Sequence, residues 1–265
     1  MASSAANISF TGGRCPRRRR LSDAALAPGS RIGPGPAPGL RRLARLLPTA
    51  DLHTLPPACR QHSVAIAAPG GRPESRQTRR RLQHLAGRLC AARALGGIRP
   101  ALVAQAIGTG ALGEPIWPAG IVGSITHTDD FASAAVCEAQ CISGIGIDSE
   151  PMATPEAAAE IAPLVARPEE WSCIAAQARL TPAEAITLIF SAKESAFKCL
   201  APLAGRHFDL LDVALIAADW ERGALLAELK RPLAAHLPVG IRLEGGFCRS
   251  AGHFHTHFLL RRSRR

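Results

Sequence analysis

The 265-residue chain carries 32 Lys and Arg against 21 Asp and Glu, a net charge of +11, with 47% hydrophobic and 20% charged residues. Eight of those charges fall in residues 1–45 and four in the last five, which leaves residues 46–260 at −1. A near-neutral body with no Tyr and 4% aromatics is not a fold built to grip phosphates and stack bases, so nucleic acid is not an expected partner.

No run of 18 apolar residues is present, so no membrane span is expected. The Arg-bearing N-terminus lacks the apolar core of a secretory signal. Cysteines stand at positions 15, 59, 90, 137, 141, 173, 199 and 248, with no CxxC pair. That pattern reads as a reduced, cytoplasmic protein without structural zinc.

Residues 1–42 are rich in Gly, Pro, Ser and Arg and read as a disordered tail, because they cannot bury enough apolar surface to offset their ordering entropy. Folding is expected to begin near Leu43, with a short strand at Val64–Ala67. Thr78 to Leu95 reads as a helix with Leu82, Leu85, Leu89 and Ala92 inward and Gly96-Gly97 as its stop. Arg81, His84 and Arg88 share another face, with Arg80 beside them, and a solvated surface explains that face as readily as a ligand does. Ile121–His127 and Phe131–Cys137 alternate as two strands around Thr128-Asp129-Asp130, a hairpin with His127 at its rim.

The next strand, Ile142 to Glu150, places Asp148 and Glu150 two apart, so both carboxylates leave the same face. Two like charges this close suit a hard divalent cation such as Mg²⁺, or simply a solvated strand end. Residues 151–181 are rich in Ala and Pro, and Pro168–Trp171 opens a short helix. Further strands are expected near His207–Ile216, Ala224–Leu229, Gly240–Phe247 and Gly252–Leu260. The last alternates His253, His255 and His257 on one face, which is a zinc or copper face or a polar face on a terminal strand.

Between them lies Ala183–Leu200, free of Gly and Pro and capped by Thr181, Pro182 and Glu184. Its apolar residues recur at helical spacing. Glu194 and Lys198, four apart, share a face, while Lys193 sits at the edge of the apolar stripe. Taken alone, Glu194 and Lys198 are an ordinary surface pair worth ~0.2–0.5 kcal/mol.

Three stretches in order change that reading: Trp117-Pro118 through Gly123-Ser124-Ile125-Thr126-His127, then Gly146-Ile147-Asp148-Ser149-Glu150, then Phe190-Ser191-Ala192-Lys193-Glu194 through Lys198. Together they resemble the 4'-phosphopantetheinyl transferases, closest to the branch typified by enterobactin synthetase component D, over roughly residues 45–258. The resemblance implies an α+β fold of two pseudo-symmetric halves, each a helix packed on a small antiparallel sheet. The halves would be 43–143 and 144–260, followed by a basic tail at 261–265. It implies a monomer that transfers the phosphopantetheine arm of coenzyme A to a serine of an apo acyl or peptidyl carrier protein, releasing 3',5'-ADP.

In the same terms, Mg²⁺ would sit on Asp148, Glu150 and Glu194. Lys193 and Lys198 would contact CoA phosphates, with Glu194 and Lys198 nearest the chemistry. His127 would meet the 3'-phosphate with Ser124 and Thr126 nearby, and Arg80 and Arg88 would hold the nucleotide. The base for the carrier serine stays open between a carboxylate and a metal-bound water. The loop Gly108–Gly113 departs from the pattern by lacking a basic residue. The alternatives are a Mg²⁺-dependent phosphodiesterase or nuclease using the same carboxylates, or a nucleic-acid binder working through its basic tails.

Overall fold

Two antiparallel sheets, each carrying one long helix, meet along a seam. The computed structural model describes residues 45–48, 55–67, 75–171, 174, 180–250 and 252–262. The tail expected at 1–42 and the final three residues of the basic tail lie outside these.

The first sheet is formed by β1 (Arg45–Pro48), β2 (Cys59–Ala67), β5 (Ile121–His127) and β6 (Phe131–Glu138), in the order β1-β2-β6-β5. Helix α1 (Arg76–Ile98) covers it, and a two-stranded ribbon of β3 (Gly108–Thr109) and β4 (Pro115–Ile116) follows. The second sheet runs β7-β11-β10-β9-β8, from β7 (Ile142–Pro151), β8 (Val213–Asp219), β9 (Ala224–Leu229), β10 (Arg242–Ser250) and β11 (His253–Arg261). Helices α2 (Pro155–Val165) and α3 (Pro182–Ala204) precede β8. The α+β architecture in two similar halves is therefore as expected.

Strand β6 is buried at every position from Phe131 to Cys137, because protein covers both of its faces. On one face Ala132 and Ala134 meet Ala86, Cys90 and Ala91 of α1. On the other, Ala135 and Cys137 meet Ile145, Ile147 and Leu259 of the second sheet. In the second half α3 buries Ala185, Leu188, Ile189, Ala192, Ala196 and Leu200 against Leu215, Leu225, Leu243, Phe254 and Phe258. Thr181 and Glu184 form a reciprocal capping box at its start, and Gly205 closes it in the left-handed conformation at φ 64°.

Gly146 sets how closely α3 approaches β7. A Cβ there would overlap the Ser195 carbonyl oxygen and lie 2.6 Å from the Cys199 amide nitrogen. Both obstacles are backbone, so neither can rotate away. Ser191 and Ser195 add to the grip, with their hydroxyls 2.9 and 2.7 Å from the Thr256 hydroxyl on β11. Gly146→Ala is expected to cost about 3 kcal/mol through overpacking, visible as a lower denaturation midpoint at an unchanged slope. A midpoint like that of the parent chain would show that α3 is not held by this contact.

Several expectations need adjustment. Helix α1 starts earlier than Thr78, because the Ser75 hydroxyl accepts the Thr78 amide as N-cap. β2 extends back to Cys59, and β1 was not anticipated. The Ala- and Pro-rich stretch after β7 contains a full helix, α2, with Pro163 inside it. The final strand, β11, lies inside its sheet, pairing with β7 on one side and β10 on the other.

Candidate active site

The seam is made by β5 and β7, and hydroxyl groups make it. The Ser124 hydroxyl accepts the Ile147 amide at 3.0 Å, and the Thr126 hydroxyl accepts the Ser149 amide at 3.1 Å. The β7 amides on this side are thus satisfied by side chains of the other sheet rather than by a backbone ladder. Both hydroxyls are buried. Ser124 and Thr126, expected near the nucleotide, thus help splice the two sheets, and Ser124 also lines the cleft described below. Thr126 also donates to Asp148 Oδ1 at 3.3 Å.

Asp148 is buried at that joint. Its Oδ1 also accepts the Lys198 ammonium from α3 at 2.6 Å. Glu150 projects from the same face of β7, and Glu194 comes from α3 one turn before Lys198. The three carboxylates crowd one another electrically. Burial first, then the Asp148 charge and more weakly Glu194, push Glu150 up to about 8, against the pull of Lys198. Burial also raises Glu194, with Lys198 opposing and Asp148 reinforcing. Among the described residues, Lys198 is the cation that bears on all three acids. Among the described residues no three His, Cys, Asp or Glu side chains are gathered closely enough to hold an ion as they stand. The donor chemistry is nevertheless that of a hard divalent cation: oxygen ligands only, in a carboxylate cluster short of positive charge.

That shortage has a measurable sign. Glu150 binds its proton more tightly in the folded chain, so its contribution to stability is complete below its ordinary value of 4.5 and is lost as pH rises through about 8. The melting temperature of the metal-free chain should fall across this window, and Glu150→Gln should flatten the fall. Added Mg²⁺ should raise the melting temperature more at about pH 8 than at about pH 5. Equal stabilisation at both would mean that these carboxylates are not where the ion acts.

His127 borders the acids, and further basic residues follow along α1. His127 ends β5 at the mouth of the seam, where crowding by protein and then the Lys198 charge lower its pKa, with His84 of α1 adding to the effect. Arg80, His84 and Arg88 recur at intervals of four along α1 and so follow one side of the helix. Arg80 is exposed. Arg88 is half-buried, its guanidinium weakened by that burial, and it donates to the Thr109 hydroxyl at 2.8 Å. A guanidinium from α1 therefore reaches the loop that carries no basic residue of its own. Gly87 lets α1 approach, since a Cβ there would stand 2.7 Å from the Ile125 side chain.

Beside Lys198 a cleft of about 380 Å³ opens between the halves. Trp117, Val122, Ile145, Phe197, Pro202 and Leu203 supply most of its apolar wall. Gly123 makes room for the Trp117 ring, which a Cβ would approach to 2.6 Å.

Two further expectations are corrected. Lys193 does not face the seam. It is fully buried in the second half, its ammonium 2.8 Å from Glu170 Oε2. Glu170 is itself buried and accepts the Leu215 amide at 2.7 Å and the Arg167 amide at 2.6 Å. A step of about 100° around α3 separates Lys193 from Glu194, enough to send one inward and the other to the seam. The histidines of β11 are no exposed metal face either. His255 lies between the hydroxyls of Ser149 and Ser250 at 2.9 and 3.1 Å. Burial pushes His257 down to about 4, leaving it neutral inside the sheet. Glu170 is the charged group whose role the sequence left open: with Glu169 it falls where some members of the resembled family carry an extra acidic residue, in a motif too loose to align.

A carboxylate-and-lysine cluster where two helix-on-sheet halves join, with a basic flank and an apolar cleft beside it, agrees with what family comparison finds. Residues 74–137 match the 4'-phosphopantetheinyl transferase N-terminal domain, and residues 144–242 match the 4'-phosphopantetheinyl transferase superfamily. The chain belongs to the 4'-phosphopantetheinyl transferase family. The boundary between the two matches falls in the β6–β7 turn.

Among individual relatives, it is 38% identical over 160 residues to the 4'-phosphopantetheinyl transferase Svp of Streptomyces mobaraensis, covering 60% of this chain and 62% of the relative. It is 38% identical over 161 residues to the 4'-phosphopantetheinyl transferase Npt of Nocardia iowensis, covering 58% and 69%. It is 36% identical over 140 residues to enterobactin synthase component D of Salmonella typhimurium, covering 52% and 56%. The matches thus span between roughly half and two thirds of these relatives' lengths. Among the described residues no helix is long and apolar enough to cross a membrane.

Proposed function

We propose that this chain moves the 4'-phosphopantetheine arm of coenzyme A onto a serine of an apo acyl or peptidyl carrier protein, in a Mg²⁺-dependent reaction that releases 3',5'-ADP, and that it acts as a monomer. The observation that carries this reading is the seam cluster: Asp148, Glu150 and Glu194 share the ammonium of Lys198, with Glu150 held up near 8.

Asp148, Glu150 and Glu194 would hold the Mg²⁺, which when bound supplies the positive charge that attack on a pyrophosphate requires. Lys198 stands at the border of cluster and cleft. It offers an ammonium to the phosphate oxygen on which charge grows as the phosphoanhydride bond to the leaving nucleotide breaks. His127 from β5, with Arg80 and Arg88 from α1, would orient the nucleotide phosphates. The cleft walled by Trp117 and Phe197 takes the flexible pantetheine arm and excludes water from it. The serine nucleophile arrives with the carrier.

The test is direct. Full-length protein, CoA and Mg²⁺ are incubated with an apo carrier, and the carrier is weighed. A gain of ~340 Da is expected, the arm whose phosphate the cation activates. Absence of a gain across acyl, polyketide and peptidyl carriers would defeat the proposal, and CoA hydrolysis without carrier modification would favour a phosphodiesterase.

A further inference from the structure

The turn that follows His127 is tied down from several elements. The Thr128 amide donates to the Phe131 carbonyl at 2.8 Å, and the Thr128 hydroxyl donates to Asp130 Oδ1 at 2.8 Å. The Ile66 amide of β2 donates to the Asp130 carbonyl at 2.7 Å. His253 Nε2 of β11 stands 3.4 Å from Asp130 Oδ1. Two further tethers come from α1. The carboxamide nitrogen of Gln83 donates one hydrogen to the Thr128 carbonyl and the other to Asp129 Oδ1, each at 3.1 Å. One helical turn earlier, Arg79 reaches Asp129 Oδ2 at 3.4 Å.

Arg79, Gln83 and Gly87 are four apart and form one ridge of α1. Gly87 lies against Ile125 of β5, and Gln83 holds the residue just after His127, so this ridge follows β5 into its turn. Arg80, His84 and Arg88 each stand one residue further on and form the neighbouring ridge, about 100° round the helix. The ridge that grips β5 therefore fixes where the strand end lies relative to the basic one. On its other side His127 follows Thr126, whose hydroxyl accepts the Ser149 amide at 3.1 Å. His127 is thus held between the seam before it and Gln83 behind it. The Arg79–Asp129 pair is partly exposed and grips a side chain, so it contributes little. Gln83 grips the backbone.

We propose that Gln83 is a positioning residue: it holds the chain after His127 onto α1, so that His127 and the basic ridge of α1 meet the 3'-phosphate of coenzyme A together. This rests on the transferase reading, with His127 meeting that phosphate as the resemblance implies. Gln83 itself touches no substrate. Without its N–H groups the Thr128 carbonyl turns to water, and the turn gains freedom to carry His127 away from the ridge. The cost falls on the 3'-phosphate alone, because the carboxylates, Lys198 and the cleft wall belong to other parts of the fold.

The experiment is calorimetric titration of the full-length chain, with Mg²⁺, by CoA and by 3'-dephospho-CoA. It compares the parent, Gln83→Met, His127→Ala and the double variant. Methionine keeps the length and helix propensity of glutamine without its N–H groups. The parent should bind CoA more tightly than 3'-dephospho-CoA. Gln83→Met should shrink that preference roughly tenfold, the lower end of what a hydrogen bond to a charged group contributes, by weakening CoA alone. His127→Ala should shrink it as well, and adding Gln83→Met should then change nothing more, the non-additivity of two residues that act as one. With a carrier present, Gln83→Met should raise the KM for CoA at near-parental kcat. Equal weakening of both ligands, an unchanged preference, or a tenfold effect that persists in the His127→Ala background would overturn the inference. The mass gain of the carrier with the parent chain tests the transferase reading separately, so the inference can fail while that reading stands.

Discussion

Asp148→Asn should lower turnover at least about a hundredfold, the scale of removing one preorganised charge from a reacting centre, while the chain stays folded. Asparagine keeps the shape of the side chain and an oxygen to accept from Thr126. What disappears is the charge that binds the Lys198 ammonium at 2.6 Å. Lys198 retains partial exposure, so its ammonium can turn to water rather than be stranded in the interior. The substitution also has an effect that does not depend on activity. Asp148 raises both Glu150 and Glu194, so its removal should let both acids titrate lower, and carbonyl-labelled infrared titration would read this. Near-parental turnover across a Mg²⁺ titration would remove Asp148 from the reaction.

Lys193→Met should cost about 3–5 kcal/mol, the usual penalty for leaving one member of a buried ion pair without its partner. Both members are buried away from solvent. Without the ammonium, Glu170 keeps only the Leu215 and Arg167 amides, too little for a carboxylate with no water around it. The double variant Lys193→Met/Glu170→Gln should recover part of the loss, because the unpaired charge is gone, although the two N–H groups bond to different oxygens of Glu170 and a single amide oxygen can replace only one of them. Denaturant unfolding of the three variants forms the cycle that measures the pair. A Lys193 that contacted CoA phosphate would behave differently, raising the KM for CoA at unchanged stability. That outcome would restore the role implied by resemblance.

The contrast between Lys193 and Lys198 shows where sequence was legible. The capped helix, the hairpin leading to His127 and the paired Asp148 and Glu150 were all readable, because capping, alternation and helical spacing are local signals. Lys193 was misplaced because periodicity fixes an angle on a helix but not what covers that angle. Here a buried acid from a distant short helix covers it. The part Ser124 and Thr126 play at the joint was not legible, because a hydroxyl looks the same in a sequence whether it faces a substrate or an orphan amide of a neighbouring sheet. Helix α2 was missed because Pro163 reads as a breaker, although the segment forms eleven helical residues around it.

The seam described above is also electrically lopsided. All three acids and Lys198 belong to the second half, whereas His127, His84 and the α1 arginines belong to the first. Under the proposed function, an extended ligand with phosphate along its length and an uncharged thiol tail would meet these two sets of charge as an arrow rather than a rod, its head told from its tail by the half it faces.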